Sequence, residues 1–179
     1  MSEVIHVSVD ADGIATLLFD RTDSNMNVMD MKFMDEMEVA VERLATDAAI
    51  KGAIFTSGKP VFAAGADLKQ MEASLDQADE LPLAERLARN ASLSKLLRRM
   101  ETCGKPVACA INGTALGGGT EIALACHYRV VSDSKGIQLG LPEVQVGLLP
   151  GGGGTQRVPR LIGIQASMPV VMEGQALSA

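Results

Sequence analysis

Ten residues, Asn112-Gly-Thr-Ala-Leu-Gly-Gly-Gly-Thr-Glu121, join two kinds of chemistry in one stretch. Three consecutive glycines, Gly117 to Gly119, lie between a buried-looking strand, Val107–Ile111, and an apolar helix-like run, Ile122–Cys126. Glycines at a strand-to-helix junction leave backbone N–H groups bare at a helix N-terminus, where a developing negative charge is stabilised. Glu121 follows within the first turn, so an electrophilic backbone site lies beside a candidate acid or base. Ala63-Ala-Gly-Ala66 is a second small-residue turn of the same kind. Two converging N–H donors polarise a carbonyl and hold an enolate-like oxyanion, and losing one costs about 3 kcal/mol of transition-state stabilisation. A lone Ala/Gly turn is more often simple close packing of small residues.

Two carboxylates stand in apolar surroundings. Glu121 has Leu116 before it and Ile122-Ala-Leu-Ala125 after it, and Glu143 sits in Leu139-Gly-Leu-Pro-Glu-Val-Gln-Val146. Desolvation raises a carboxyl pKa toward neutrality, which suits general acid/base work. Equally, Glu121 reads as an ordinary helix-start charge and Glu143 as a solvated loop residue. The pairing of two such sites, one beside a glycine turn, favours function. Pro150-Gly-Gly-Gly-Gly154 reads as a structural, close-packed entry to a helix over Thr155–Ile162.

Rival chemistries lack their signatures. The chain has no G-x-x-x-x-G-K-[ST] phosphate loop and no G-x-G-x-x-G dinucleotide fingerprint. It has no G-x-S-x-G nucleophile elbow. Two histidines, His6 and His127, and no H-E-x-x-H give no support to a metal site. Cys103, Cys109 and Cys126 show no C-x-x-C spacing, and their odd number argues against structural disulfides.

The elements that must position these groups are those of an ordinary globular chain. Its 179 residues are 47% hydrophobic and 21% charged, enough for one domain with a core. Aromatics make up 3%, so aliphatics and ten methionines must fill that core. A net charge of −6 without a basic run argues against nucleic acid as a partner. No segment approaches a membrane span. The start, Met1-Ser-Glu-Val-Ile-His6, has neither signal nor transit character, which reads as cytoplasmic.

Val4–Val9 and Ile14–Phe19 read as strands joined by a turn at Asp10–Gly13. Asp30 is the expected N-cap of a helix running to about Ala45. Gly52–Thr56 reads as a strand buried on both faces. A short helix is expected from Asp67, a mobile acidic surface segment over Ala73–Leu83, and one helix over Ala84–Glu101. Strands Val107–Ile111 and Tyr128–Ser132 flank the glycine turn. Ala166–Met172 reads as a buried helix, which requires Pro169 in its first turn. The alternation of strands and helices predicts α/β with helical crossovers. The chain stops at Gln175–Ala179 without a closing element, as a truncated domain would.

Four segments in register carry a resemblance: Phe62-Ala-Ala-Gly-Ala-Asp-Leu-Lys69, Lys105-Pro-Val through Glu121, Leu139-Gly-Leu-Pro-Glu143 and Pro150-Gly-Gly-Gly-Gly-Thr-Gln-Arg157. Together they resemble the crotonase (enoyl-CoA hydratase/isomerase) superfamily over about Val4 to Gly163. Met26-Asn-Val-Met29 and the segments around Asp47–Gly52 and Leu139–Val144 are more similar to the N-terminal hydratase domain of multifunctional fatty-acid oxidation α-subunits. The resemblance implies an α/β fold of stacked ββα repeats, one domain over 1–179, C-terminally truncated. It implies that the N–H groups of Ala66 and Gly118 form an oxyanion hole for an acyl thioester. Glu121 would hold and activate water, and Glu143 would exchange the α-proton. Ala66, Asp67, Leu68 and Lys69 would line the CoA site, with Lys69 facing its phosphates. Both glutamates together imply hydration of trans-2-enoyl-CoA in β-oxidation. Δ3-Δ2-enoyl-CoA isomerisation, or a CoA-binding or assembly module without turnover, are the alternatives. CoA thioester is then a substrate, with no cofactor in this chain and NAD only in a downstream dehydrogenase domain. A homo-oligomer or a complex with a thiolase subunit is implied for the full-length protein.

Overall fold

The computed structural model describes residues 4–78 and 81–178. Strands β1 (Ile5–Val9) and β2 (Ile14–Phe19) form an antiparallel hairpin, with Ile5 opposite Phe19. Asp10 shapes the turn by accepting the Asp12 and Ile14 N–H groups on Oδ1. Helix α1 (Met31–Thr46) starts where Asp30 Oδ1 accepts the Phe33 N–H, as its cap position predicts. It then returns the chain to β3 (Gly52–Ser57), parallel to β2. Helices α2 (Leu68–Ala78), α3 (Leu83–Asn90) and α4 (Ser92–Glu101) lead to β4 (Val107–Ile111). A two-residue strand β5 (Ala115–Leu116), helix α5 (Gly118–Ala125) and β6 (Tyr128–Val131) follow. Next come β7 (Gln138–Gly140), a 3-10 turn over Pro142–Val146, α6 (Gly154–Ile162), α7 (Ile164–Met172) and β8 (Leu177–Ser178).

The main sheet has the order β1-β2-β3-β4-β6, parallel from β2 onward, with helices on one face. Alternation along β2 sends Ala15, Leu17 and Phe19 inward. All four phenylalanines are buried in one cluster: Phe19 lies 4.8 Å from Phe33 and 6.4 Å from Phe55, and Phe55 lies 5.9 Å from Phe62. Met37, Leu44, Leu97 and Met100 complete the layer between α1, α4 and the sheet, so methionine and leucine do the work that more aromatics do elsewhere.

Four expectations change, and one feature is new. The acidic stretch over Ala73–Leu83 is partly regular, because helix α2 continues into it as far as Ala78; Asp79 and Glu80 lie outside the described residues. The single helix over Ala84–Glu101 is two, α3 and α4, separated at Ala91 with φ −90° and ψ 0°. Alanine has high helix propensity, so no breaker residue announces that bend. β3 is covered on one face, leaving Ile54 exposed on the other, with Tyr128 and Val130 exposed two strands away on β6. In α7 only Ser167 and Val170 are buried, and Pro169 sits in its interior. A second sheet, β5-β7-β8, joins segments too short to show a period.

Candidate active site

Two turns meet beside the end of β4. The first, Ala63–Asp67, is held by short bridges on both sides. Ala63 O accepts the Leu116 N–H, and Ala64 N–H donates to Asn27 O. Met29 N–H donates to Gly65 O and Met29 O accepts the Asp67 N–H, which pairs Met29 with Ala66. That bridge uses the amides on either side of Ala66 and leaves the Ala66 N–H itself with no acceptor among the described residues. Asn27 anchors the strand behind it. Fully buried, it donates to Phe19 O and Ser57 Oγ and accepts the Arg21 N–H. Arg21 in turn pairs with Asp30 at 2.6 Å and with Asp23.

The second turn starts α5. Gly117 caps the helix with φ +54°, a backbone region that disfavours residues with a Cβ. Its N–H donates to Gly140 O, and the Thr120 hydroxyl lies 2.7 Å from Ala115 O while accepting the Gly140 N–H. β5, β7 and the start of α5 are thereby locked together. The Gly118 N–H, at the first position of the helix, has no acceptor among the described residues. The two turns touch: a Cβ placed on Gly117 would lie 3.8 Å from Gly65 Cα.

Each glutamate is seated against a glycine turn. Glu121 is 1% exposed, and its Oε1 accepts the Gly154 N–H at 2.8 Å. The Gly150s loop is therefore more than a packed helix entry, because the N-terminus of α6 receives the Glu121 carboxylate. Burial raises the Glu121 pKa, while the Gly152, Gly153 and Gly154 amides and the Arg157 charge pull against that rise. Glu143 lies in the first turn of the 3-10 segment, with Oε1 3.0 Å from where a Gly117 Cβ would be. Its Oε2 is buried without a hydrogen-bond partner, alone in this among the described side-chain N and O atoms. Desolvation pushes its pKa up to about 7, and the nearby Glu121 charge adds to the rise. An apolar wall closes the space: Met29 Sδ and Leu93 Cδ2 would stand 2.7 and 3.6 Å from a Cβ at Gly118. Leu93 also approaches Gly152 at 3.1 Å in the same sense.

The structure thus brings together Glu121, Glu143 and the turns bearing Ala66 and Gly118. Asp67 is occupied otherwise: its Oδ1 accepts the Lys69 and Gln70 N–H groups and caps α2. Leu68 and Lys69 are exposed on the first turn of that helix. Met29, Leu93 and the Gly152–Gly154 amides were not singled out as site residues by their sequence. Four consecutive glycines ahead of a helix were the one visible hint. The buried thiols offer no nucleophile here, since the Cys126 contact and burial push the Cys109 thiol far up. No three His, Cys, Asp or Glu residues gather as a metal site among the described residues.

The enoyl-CoA hydratase/isomerase family model matches residues 10–179. A fatty acid oxidation complex subunit alpha of Idiomarina loihiensis is 43% identical over 169 residues, 94% of this chain and 23% of that protein. The protein of the same description from Vibrio vulnificus is 43% identical over 182 residues, covering 100% of this chain and 25% of its own length. Among solved structures, an enoyl-CoA hydratase of Bacillus anthracis superposes with a TM-score of 0.83 at 30% identity, over 98% of this chain and 64% of that one. One from Geobacillus kaustophilus gives 0.87 at 28%, over 99% and 64%. The chain therefore spans about a quarter of the curated relatives and under two thirds of these solved chains.

Proposed function

The chain belongs to the enoyl-CoA hydratase/isomerase family, and from that premise we propose that it catalyses reversible syn addition of water to a trans-2-enoyl-CoA in fatty-acid β-oxidation. The observation that carries this reading is the pair of carboxyls. One is hydrogen-bonded and buried, and the other has an unpartnered oxygen and a pKa near 7.

In the proposed reaction the thioester carbonyl oxygen sits on the Ala66 and Gly118 N–H groups. Glu121 takes a proton from water as the water oxygen bonds to the β-carbon. Electron density moves onto the thioester oxygen, where the two amides and the dipole of α5 stabilise it. Glu143 then gives its proton to the α-carbon. Water is split into a C–O and a C–H bond, and the pair ends as its tautomer, with the proton on Glu121 instead of Glu143. No electron leaves the substrate, so no cofactor enters the balance. Ala66, Asp67, Leu68 and Lys69 would border the CoA moiety, Asp67 by shaping the first turn of α2 and Lys69 from an exposed position suited to a phosphate.

The same site supports a second reading, Δ3-Δ2 isomerisation, because the free Glu143 oxygen suits a proton shuttle that needs no water. The likeness to fatty acid oxidation complex α-subunits supports placing residues 1–179 at the start of a multifunctional cytoplasmic protein. That protein would carry an NAD-dependent dehydrogenase domain downstream and have a thiolase or a second copy as partner. The test is loss of the conjugated thioester absorbance when the chain is mixed with crotonyl-CoA. Hydration that falls about 10²–10⁴-fold in Glu121→Gln and Glu143→Gln supports the proposal. Full activity in either variant overturns it, and faster consumption of a 3-enoyl-CoA that depends on Glu143 alone selects the isomerase reading.

A further inference from the structure

Behind the glycine turn that seats Glu121 lies Arg157, which touches neither glutamate through a hydrogen bond but touches what holds one of them. Its Nη1 donates to Gly152 O at 2.8 Å, and its Nη2 donates to Glu101 Oε2 at 3.2 Å. The side chain is 16% exposed. Glu101 is held from the other side by Arg98 at 2.8 Å. A Cβ on Gly153, whose φ is +107°, would stand 2.4 Å from Arg157 Nη1, so the guanidinium fills the space a side chain there would need.

The peptide plane supplies the consequence. The carbonyl of Gly152 and the N–H of Gly153 belong to one rigid trans unit and point in opposite directions. Fixing that carbonyl on Arg157 therefore aims the Gly153 N–H away from the guanidinium. One residue on, the Gly154 N–H donates to Glu121 Oε1, and the Gly152 and Gly153 amides also favour the Glu121 charge. We infer that Arg157 is a positioning residue: tied to Glu101 and to the Gly152 carbonyl, it holds the Gly152–Gly154 turn in place, and with it the Gly154 N–H on the Glu121 carboxylate, and so keeps that carboxylate seated. The inference rests on the reading of Glu121 as the water-activating base.

The charge acts in the same direction as the geometry. A cation near a carboxylate favours the ionised form, and Arg157 does so for Glu121. Glu121 in turn helps keep the proton on Glu143. Arg157 thus stands at the head of a chain that separates the two glutamates into a base and an acid. A lysine in its place would keep the charge but not the planar fork that reaches Gly152 and Glu101 together. Besides Glu101 and the buried Cys126, the other ionisable groups around Arg157 border the same cavity of about 300 Å3: His127, Arg129 and Arg160. Arg129 is committed to the C-terminal carbonyls of α5, and Arg160 to Gln156 O. His127 accepts the Val107 N–H on Nδ1. None of these three is bonded to the glycine turn.

The test is a carboxyl titration that does not depend on turnover. The chain is labelled with 13C-glutamate, the Glu121 and Glu143 carboxyl carbons are assigned with Glu121→Gln and Glu143→Gln, and both are titrated by NMR. In Arg157→Met the Glu121 midpoint rises by about one pH unit or more. In Arg157→Lys it rises less, and in Glu101→Gln it rises in the same direction because the guanidinium is loosened. Arg160→Met is the control and leaves the midpoint in place. With crotonyl-CoA, kcat falls about tenfold in Arg157→Met while KM stays within about twofold, the split expected when orientation rather than binding is lost. An unmoved Glu121 midpoint in Arg157→Met overturns the inference whatever the activity. If that variant does not fold, an unmoved midpoint in both Arg157→Lys and Glu101→Gln does so. A wild-type chain that titrates as described yet never hydrates crotonyl-CoA overturns the proposed function, while the seating of Glu121 by Arg157 stands on the titrations alone.

Discussion

Adding one methyl group at Gly152 is the sharpest perturbation the site offers. A Cβ there would lie 2.6 Å from Glu121 Oε2 and 2.9 Å from its Cδ, with Leu93 Cδ2 at 3.1 Å on the far side. Ordinary contact begins at 3.4 Å, so the carboxylate must retreat by about 0.8 Å. The backbone does not absorb the change, because Gly152 is not among the positive-φ glycines and accepts alanine without strain. The displaced carboxylate loses its 2.8 Å bond from the Gly154 N–H. A charge-assisted bond of this kind contributes about 1.5–3 kcal/mol, and misplacing a reacting group by about 1 Å costs about 10²-fold in rate. Gly152→Ala therefore lowers kcat on crotonyl-CoA by about 10²-fold. Affinity for an unreactive CoA ester, measured by calorimetry, stays within about twofold because the amides of Ala66 and Gly118 are untouched. The matched control is Gly151→Ala, where the nearest atom to a new Cβ is Leu149 O at 4.0 Å. It retains wild-type kcat. Wild-type turnover in Gly152→Ala, or an equal loss in Gly151→Ala, refutes the assignment of the Gly152–Gly154 amides as the seat of Glu121.

In the proposed reaction the pair holds one proton between its two carboxyls, so kcat/KM for hydration is expected to fall as pH rises through about 7, where Glu143 gives its proton up. Water addition neither consumes nor releases a proton overall, so its equilibrium constant is independent of pH and dehydration of 3-hydroxybutyryl-CoA must fall in parallel. A hydration profile flat to pH 9, or opposite slopes in the two directions, refutes this. Glu143 also carries a stability cost. Its folded pKa is raised from 4.5 to about 7, so the fold favours its protonated form, and that advantage is full below about 4.5 and lost as pH rises to about 7. Glu143→Gln therefore melts above the wild type at pH 8, by about 2–4 °C for roughly 1 kcal/mol after discounting for partial exposure. The two curves converge at pH 4, and equal melting temperatures at both pH values contradict the reasoning. Asn27→Ala strands the Arg21 N–H in the core, while the Ser57 hydroxyl keeps Lys59 and Val61, and costs about 1–3 kcal/mol in urea unfolding. A change under about 0.5 kcal/mol removes Asn27 as the anchor of the Met29–Ala66 bridge.

What the chain disclosed before folding follows from locality. β2, α1 and β4 matched closely because alternation, a helical stripe and the Asp30 cap are all written within a few neighbouring residues. The glycine turn before α5 and the two carboxyls were visible for the same reason. The bend at Ala91 was not, since no residue there opposes helix and the break is imposed by packing. The open faces of Ile54 and α7 were misread because an apolar run states only that burial is favourable, not that a neighbour is present. Strands β5 and β8 have two residues each, too few for any period. The role of the Gly150s loop was hidden because its partner, Glu121, lies 33 residues earlier.

That separation also couples two distant stretches of the chain energetically. Helix α5 is buried on nearly every side, with Glu121 inside it. Closing the core around α5 before α6 arrives would trap a carboxylate in an apolar space with no donor, and burying an unpaired charge is among the costliest errors a folding chain can make. Burial of α5 and docking of α6 are therefore energetically coupled, each more favourable when the other is in place. The contact that seats Glu121 thus also conditions the sealing of the core: without the Gly152–Gly154 turn in place, that carboxylate must stay wet or take up a proton.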